Sequence, residues 1–495
     1  MLSLVTLDRE LAVPLYQQIY HGLRHAILSG QLEAGAGIPS TRDLARILDV
    51  SRNTVRNAID QLMAEGYLEA QVGSGTYVTS QLPDATLAIW SEKEPASQPD
   101  HPPRPLSSYG ETMARIGRSF PDQPLQNNHP LFAIGMPDMS LFPGKIWTRL
   151  LTRYHRRTPI RQLAQPQSMG GELALRQALV SYLRTARAVH CDAEQVFVVA
   201  GSQRSLYVTA QLLLNAGDRA WTEDPGYVGA RSAILCTGGR PFPIPVDANG
   251  LDVDAGIRIA PDAKLAVVTP SHQFPLGYTM SLPRRLQLLQ WADSSRRWIV
   301  EDDYDSAFRF DGPALPALQG LDKNGRVIYL GTFSKVLFPA LRLAYLIVPP
   351  NLVSAYRGAL VPTGSYPPLV NQMVLAEFMQ EGHFARHLRR MQKRYAEKRH
   401  FLHKLVQQTM SGLLELGVAE CGMHVVGWLP PGISDTAISA RAQQDGYHII
   451  TVSGLSQKQT RPGILLSFTS ASARQMRDGI IYLEKIIAEQ MKITH

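Results

Sequence analysis

Apolar residues recur every fourth position between Pro14 and Leu28, at Leu15, Ile19, Leu23 and Ile27. That spacing lines them along one stripe of a helix. PSTRDLARILDV predicts a second helix. Ser40 followed by Asp43 reads as a capping box, in which a hydroxyl and a carboxylate satisfy orphan amides at the helix start. SRNTVRNAIDQLMAEG predicts a third, with Ser51 as N-cap, Val55, Ile59 and Leu62 facing inward, and Gly66 as the stop. YLEAQVGSGTYV then reads as two strands about a Gly73–Gly75 turn. From about residue 130 the pattern changes, and short β-rich runs alternate with helical ones. QVFVVA precedes SLYVTAQLLL, KLAVVTP precedes LPRRLQLLQWA, and RRWIVEDDY and RVIYLGTF flank a Pro/Gly loop. Such alternation predicts an α/β layer fold with a mostly parallel sheet. Between the two patterns, residues 81–128 are rich in Pro, Ser and Gln and poor in periodic apolar positions, as a semi-extended linker is. The expected organisation is a multidomain chain: a head over 1–80, a linker over 81–128 and a body over 129–495.

Length and composition agree with two or three folding units. The chain has 495 residues, too many for one ordinary core, and 44% apolar with 19% charged residues is a globular balance. A formal net charge of +8 permits nucleic-acid contact without demanding it. Residues 1–80 hold six Arg, no Lys and eight Asp/Glu, so DNA contact by the head must rest on local placement. The three cysteines, Cys191, Cys236 and Cys421, form no C-x-x-C pair and no disulfide framework, which fits a reducing compartment. Asp8, Arg9 and Glu10 interrupt what would be the apolar region of a signal peptide. No run approaches the ~20 apolar residues of a membrane span. The expectation is a soluble, cytoplasmic protein with no membrane partner and no metal site.

Helix, turn, helix and wing together form a DNA-binding arrangement, in which the second helix presents its N-terminal residues to base edges in the major groove. Here those are Ser51, Arg52, Asn53, Thr54 and Arg56. Arg can bond guanine and Asn adenine in bidentate fashion. Arg42, near the start of the preceding helix, is placed for a phosphate or a base, and Gly73, Ser74, Gly75 and Thr76 make a tight wing tip. An ordinary three-helix bundle with surface arginines shares the periodicity. The segment also resembles the GntR-type winged helix in the order P-S-x-R-x-L-A, V-S-R-x-T-V, L-x-x-E-G-Y-L, G-x-G-T-Y-V. The resemblance implies that Arg42, Arg52, Asn53, Thr54 and Arg56 contact DNA, with wing support from Gly73.

In the body, Lys335 follows the apolar strand VIYL, where it can be held still and partly desolvated, so that its amine shifts toward the neutral form. Asp302 lies at another strand end in WIVEDDYD, with Tyr304 two residues on, and Tyr227 follows the turn EDPG. GSQ follows the strand VFVVA and opens a helix, where terminal amides and the Ser202 hydroxyl suit an anion, with Ser334 and Arg342 able to add charge-assisted bonds. Alone, each is commonplace: a lysine after a strand is usually solvated, and acidic clusters usually cap or loop. Jointly they supply what a pyridoxal 5'-phosphate (PLP) site needs. Those needs are an amine for the aldehyde, a carboxylate for the pyridine nitrogen, a donor near the ring oxygen, a flat group on the ring and a phosphate cup.

That order resembles the fold-type I, class I aminotransferases over most of residues 130–490, including GMPDMSLFP, the G-x-x-x-L-R of GELALR, and TPSHQFPLG. The resemblance implies a PLP-dependent transferase fold, with a mostly parallel sheet in the large lobe and a smaller α+β lobe. It makes Lys335 the Schiff-base lysine and Asp302 the pyridine partner. It sets Tyr304 near the ring oxygen, Tyr227 on the ring, and Ser202, Gln203, Ser334 and Arg342 around the phosphate. Two positions depart from the family. Phe274-Pro275-Leu276-Gly277 replaces the usual Asn-Pro-x-Gly, which leaves His272 or Gln273 to compensate for the missing Asn. Leu465 stands where the substrate-carboxylate arginine usually sits, with Arg461 nearby in sequence. Losing that contact costs several kcal/mol of substrate binding, at ~1.5–3 kcal/mol per hydrogen bond to a charged group. Both departures argue against an efficient transaminase.

Head and body together resemble the MocR family of bacterial transcription regulators, down to S-H-Q-F-P-x-G at 271–277 and E-D-D-Y-D at 301–305. The resemblance implies a homodimer with each head against the partner's body, promoter DNA as the partner of the heads, and no catalytic residues as such. It also implies that the signal is PLP or an amino compound, such as GABA or taurine, reacting with it, sensed through an aldimine at Lys335. The alternatives are a working aminotransferase with an appended DNA-binding head, and a body that serves only as a dimerisation scaffold. Residues 381–400, with seven Arg/Lys against two Glu, read as a solvated basic helix or as a second phosphate-contacting face.

Overall fold

The computed structural model describes residues 5–494 apart from 6, 10, 12, 72–74, 81–104, 119–131, 159–167, 313–314, 364–365 and 418–419. It divides into two compact units, 1–105 and 106–495.

In the first unit the apolar stripe becomes the core. Helix α1 (Leu15–Leu28) buries Ile19, Leu23 and Ile27, while Leu15 at its start is half-buried. Helix α2 (Thr41–Leu48) starts on Ser40, whose Oγ accepts from the Asp43 amide at 3.2 Å. The Asp43 carboxylate closes on the Ser40 hydroxyl at 2.7 Å and on Arg46 at 3.0 Å, rather than on the Ser40 amide. Helix α3 (Arg52–Ala64) starts on Ser51, which accepts from the Thr54 amide at 3.1 Å, and buries Val55, Ala58, Ile59 and Leu62. Gly66, at φ +80°, supplies the left-handed turn that ends it. A three-stranded antiparallel sheet follows the order β1 (Gly37–Ile38), β3 (Gly75–Val78), β2 (Leu68–Gln71), with Leu68 opposite Val78.

The second unit is built on an eight-stranded sheet: β4 (Val196–Val199), β5 (Arg219–Asp224), β6 (Arg240–Asp247), β7 (Gly250–Leu251), β8 (Leu265–Val268), β9 (Trp298–Asp303), β10 (Val327–Thr332) and β11 (Ala344–Ile347). The spatial order is β4-β11-β10-β9-β8-β5-β6-β7. The run β6-β5-β8-β9-β10 is parallel, and β11 and β7 run against their neighbours. Successive side chains on a strand point to opposite faces. Phe197, Val199, Leu330 and Leu346 accordingly meet helices Ser202–Leu213, Val228–Leu235 and Val353–Thr363 on one face. Val198, Tyr329 and Ile347 meet Leu173–Arg187, Leu369–Gln380 and His383–Thr409 on the other. Burial on both faces explains why these strands read as continuous apolar runs. A smaller lobe carries the antiparallel sheet β12 (Glu415–Leu416), β13 (His424–Trp428), β14 (Gly463–Ser467), with helices Asp435–Gln444 and Ala473–Thr494.

Within the stretch expected as linker, Ser108–Arg118 forms a helix that belongs to the second unit, where Met113 meets Cys236. The cysteines are free, and among the described residues no helix is long and apolar enough to cross a membrane.

Candidate functional site

Open α/β sheets bind ligands beyond the carboxyl ends of their parallel strands. Here the ends of β8, β9 and β10 and the start of helix Ser202–Leu213 border a cavity of about 380 Å³. Seven of the residues expected around PLP line it: Lys335, Asp302, Tyr304, Tyr227, Ser202, Ser334 and Arg342. Gln203 and His272 do not. Gln203 donates to the Gly229 carbonyl at 2.8 Å and accepts from the Tyr227 hydroxyl at 3.2 Å, so it stands behind the tyrosine. His272 lies behind Tyr304, with Nδ1 at 2.9 Å from the Tyr304 hydroxyl and 3.0 Å from the Asp305 carboxylate.

Strand alternation sorts the three acids of β9. Glu301 faces the start of a short helix and accepts the Leu318 and Gln319 amides at 2.8 and 2.9 Å. Asp303 is gripped by Arg187 at 2.8 Å and by the Tyr329 hydroxyl. Asp302, between them, turns to the cavity, and among the described residues its buried Oδ1 has no hydrogen-bond partner. Burial, reinforced by Asp303, pushes its carboxyl up to about 7. Burial also lowers the Lys335 amine, although Asp305 and Asp302 pull the other way. Tyr227 is pushed up to about 12 by burial, and Tyr304 is raised as well, so both stay protonated.

Backbone geometry leaves space where the site needs it. Gly135, at φ +70°, faces the lysine, and a Cβ there would come within 2.2 Å of Lys335 Nζ. At the opposite edge, Gly201 (φ +114°) precedes the helix that starts at Ser202, and Arg342 passes 3.7 Å from where its Cβ would be. Helix amides, two hydroxyls and a guanidinium thus gather at one end, as an oxyanion requires.

The departures from the family pattern have structural form. Phe274 lines the cavity and meets Tyr227, Tyr304 and His424 edge-on, with ring centroids 6.2, 6.0 and 5.6 Å away. Gln273 does not take over the role of an Asn, since its amide is spent on Glu223, Pro225 and Phe274. Leu465 is buried in an apolar cluster with Leu276, Val426 and Val452, against which Ile134, Phe274 and Ile450 pack. Arg461 pairs with Glu415 and lies over Trp428, 5.1 Å from the ring centroid. Sequence reasoning missed Gly135 and His424. The first sat inside a quoted motif, and the second, held neutral by burial that lowers it to about 3, carried no local signal.

In the first unit, Arg42, Ser51, Arg52, Asn53 and Arg56 are exposed and Thr54 is half-buried. Arg56 lies 3.6 Å from Asp60, and Arg52 reaches the Thr41 hydroxyl at 3.4 Å. Arg9 pairs with Asp49, the residue that ends α2, at 2.7 Å. Gly73 lies outside the described residues.

Residues 15–78 match the family model "Bacterial regulatory proteins, gntR family", and residues 149–458 match "Aminotransferase class I and II". The chain is 40% identical over 480 residues to the probable rhizopine catabolism regulatory protein MocR of Rhizobium meliloti, covering 96% of this chain and 94% of that one. It is 31% identical over 415 residues to the HTH-type pyridoxine biosynthesis transcriptional regulator PdxR of Corynebacterium glutamicum, covering 83% and 82%. Among solved structures, the kynurenine aminotransferase of Pyrococcus horikoshii has the same fold. It superposes with a TM-score of 0.68 at 24% identity, covering 81% of this chain and 99% of that one.

Proposed function

Because the chain belongs to the MocR-type transcriptional regulators, which join a gntR-family head to an aminotransferase-like body, we propose that Lys335 holds PLP in the body and that this occupancy sets how the head binds promoter DNA. The observation that carries the reading is one cavity with three matched ends. They are a desolvated lysine facing Gly135, a carboxylate with a buried unpartnered oxygen, and an anion cup at a helix start. When bound, the group supplies an aldehyde that condenses with an amine and a ring that draws electrons from it.

The chain's own residues divide the work of holding it. Lys335 presents an amine biased to the neutral form. Asp302 Oδ1 is free to accept a ring N–H. Tyr227, braced by Gln203, offers a flat face. Tyr304, braced by His272, directs its hydroxyl from the wall. Ser202, Ser334 and Arg342 take the phosphate. The apolar setting of Leu465 and Phe274 favours sensing over turnover, because the neighbouring Arg461 is engaged with Glu415 and Trp428 and does not replace the missing carboxylate clamp. The reading includes a cytoplasmic homodimer whose signal is PLP itself or an amine that reacts with it. The name of the Corynebacterium relative, a regulator of pyridoxine biosynthesis, supports PLP as the signal.

Borohydride reduction followed by peptide mapping tests the site directly. A pyridoxyl adduct is expected on the peptide holding Lys335 and is absent from Lys335→Ala, while an unmodified wild-type peptide contradicts the reading. Amino donors with 2-oxo acids are expected to turn over no faster than with free PLP. Sustained turnover by the protein would favour the enzyme instead.

A further inference from the structure

A second cavity, of about 450 Å³, is lined in part by segments that also line the first. Helix Leu173–Arg187 contributes Tyr182 and Thr185, the segment after β9 contributes Ser306 and Arg309, and helix His383–Thr409 contributes Leu388 and Arg389. Among the described residues three arginines line it, Arg187, Arg309 and Arg389, and no carboxylate does.

The three are not equivalent. Arg187 is fully engaged with Asp303, Ser271 and the Leu315 carbonyl, and belongs to the wall. Arg309 gives one nitrogen to Glu420 at 3.1 Å, and among the described residues its buried Nε has no hydrogen-bond partner. Arg389 is exposed, and among the described residues its side chain has no hydrogen-bond or ion-pair partner. Ser306 likewise has no side-chain partner among them. The rest of the lining is largely apolar, from Tyr182, Ala186, Ala307, Leu315, Ala385 and Leu388. Unspent donors beside an apolar wall, in a volume of ligand size, are what an amphipathic anion needs.

We propose that this cavity is a second ligand site, separate from the Lys335 site, for a small organic carboxylate whose apolar body lies against Tyr182 and Leu388 and whose charge is held by Arg309 and Arg389. It shares walls with the first site, because Ser306 follows Asp305 and Ser271 lies between Thr269 and Phe274, and Asp305, Thr269 and Phe274 all line the first cavity.

The test is calorimetric titration of the full chain, saturated with PLP, with 4-methylpentanoate and separately with inorganic phosphate. This carboxylate has neither an amine nor an aldehyde or ketone group, so it cannot form or exchange an imine at the first site. Saturable binding of 4-methylpentanoate is expected, weakened about tenfold by Arg389→Ala, the value of one lost charge-assisted bond. Arg309→Ala should weaken it at least as much. Arg389→Ala carries the test if losing the Glu420 pair unfolds the Arg309 variant. No saturable binding, or binding that both variants leave unchanged, overturns the proposal. Phosphate binding as tightly as the carboxylate also overturns it, since the apolar body would then contribute nothing.

Discussion

Asp302 sits in a conflict that a ligand can resolve. Its carboxyl is raised to about 7 by burial and by Asp303, and Glu223, buried in the same region, is also raised to about 7 by burial. A raised carboxyl keeps its proton in the folded state after the unfolded chain has released it. The associated stability is therefore full below about pH 4 and is lost as pH rises toward 7, by at most about 1.4 kcal/mol per pH unit for each group. In PLP-free protein, Asp302→Asn removes one such group. Thermal denaturation from about pH 5 to about pH 7 is expected to show a shallower loss of stability for the variant than for wild type. Equal slopes would mean that Asp302 ionises freely in the empty site. Much of the cavity lining was legible in the sequence because its polar residues stand at strand ends. Lys335, Asp302 and Tyr304 follow buried apolar runs, so their neighbours gave their location away. His272 was harder to place, because its position behind Tyr304 depends on Asp305 and on a close approach to Gly422 that no local pattern encodes.

At the scale of elements, a helix on an acidic head must place its positive residues locally. The first turn of α3 does so, because Ser51 ends the preceding segment and starts the helix, leaving Arg52 and Asn53 exposed. Ser51→Ala is expected to cost the head about 1 kcal/mol of stability through the lost cap. Asn53→Ala is expected to leave stability unchanged while relaxing preference at one base position by about 1–3 kcal/mol. Thermal denaturation of both variants, with binding to sites substituted one base at a time, separates the two effects. A loss of affinity uniform across all bases for Asn53→Ala would assign it to the phosphate backbone instead. The helices of the head were legible because caps and a one-sided stripe mark both their ends and their inner face. Helix Ser108–Arg118 was not, because it lies amid Pro-rich sequence and its contact with Cys236 comes from far along the chain. The direction of β11 was also hidden, since a strand buried on both faces reads the same parallel or antiparallel.

At the scale of the molecule, Lys335 and the exposed face of α3 belong to different compact units. A response at DNA to a ligand at Lys335 therefore requires states of the whole protein that the ligand binds unequally, with coupling typically worth about 1–3 kcal/mol. Two-domain order and the α/β nature of the body followed from hydrophobic periods, but the coupling between units has no counterpart in any local pattern. The measurement that tests it most directly is the affinity of the full chain for the intergenic DNA beside its own gene, titrated with and without saturating PLP, for wild type and Lys335→Ala. The expected result is a shift of about fivefold or more for wild type and none for the variant. Identical affinities for wild type in both conditions, or an equal shift in Lys335→Ala, would contradict control of the head through Lys335.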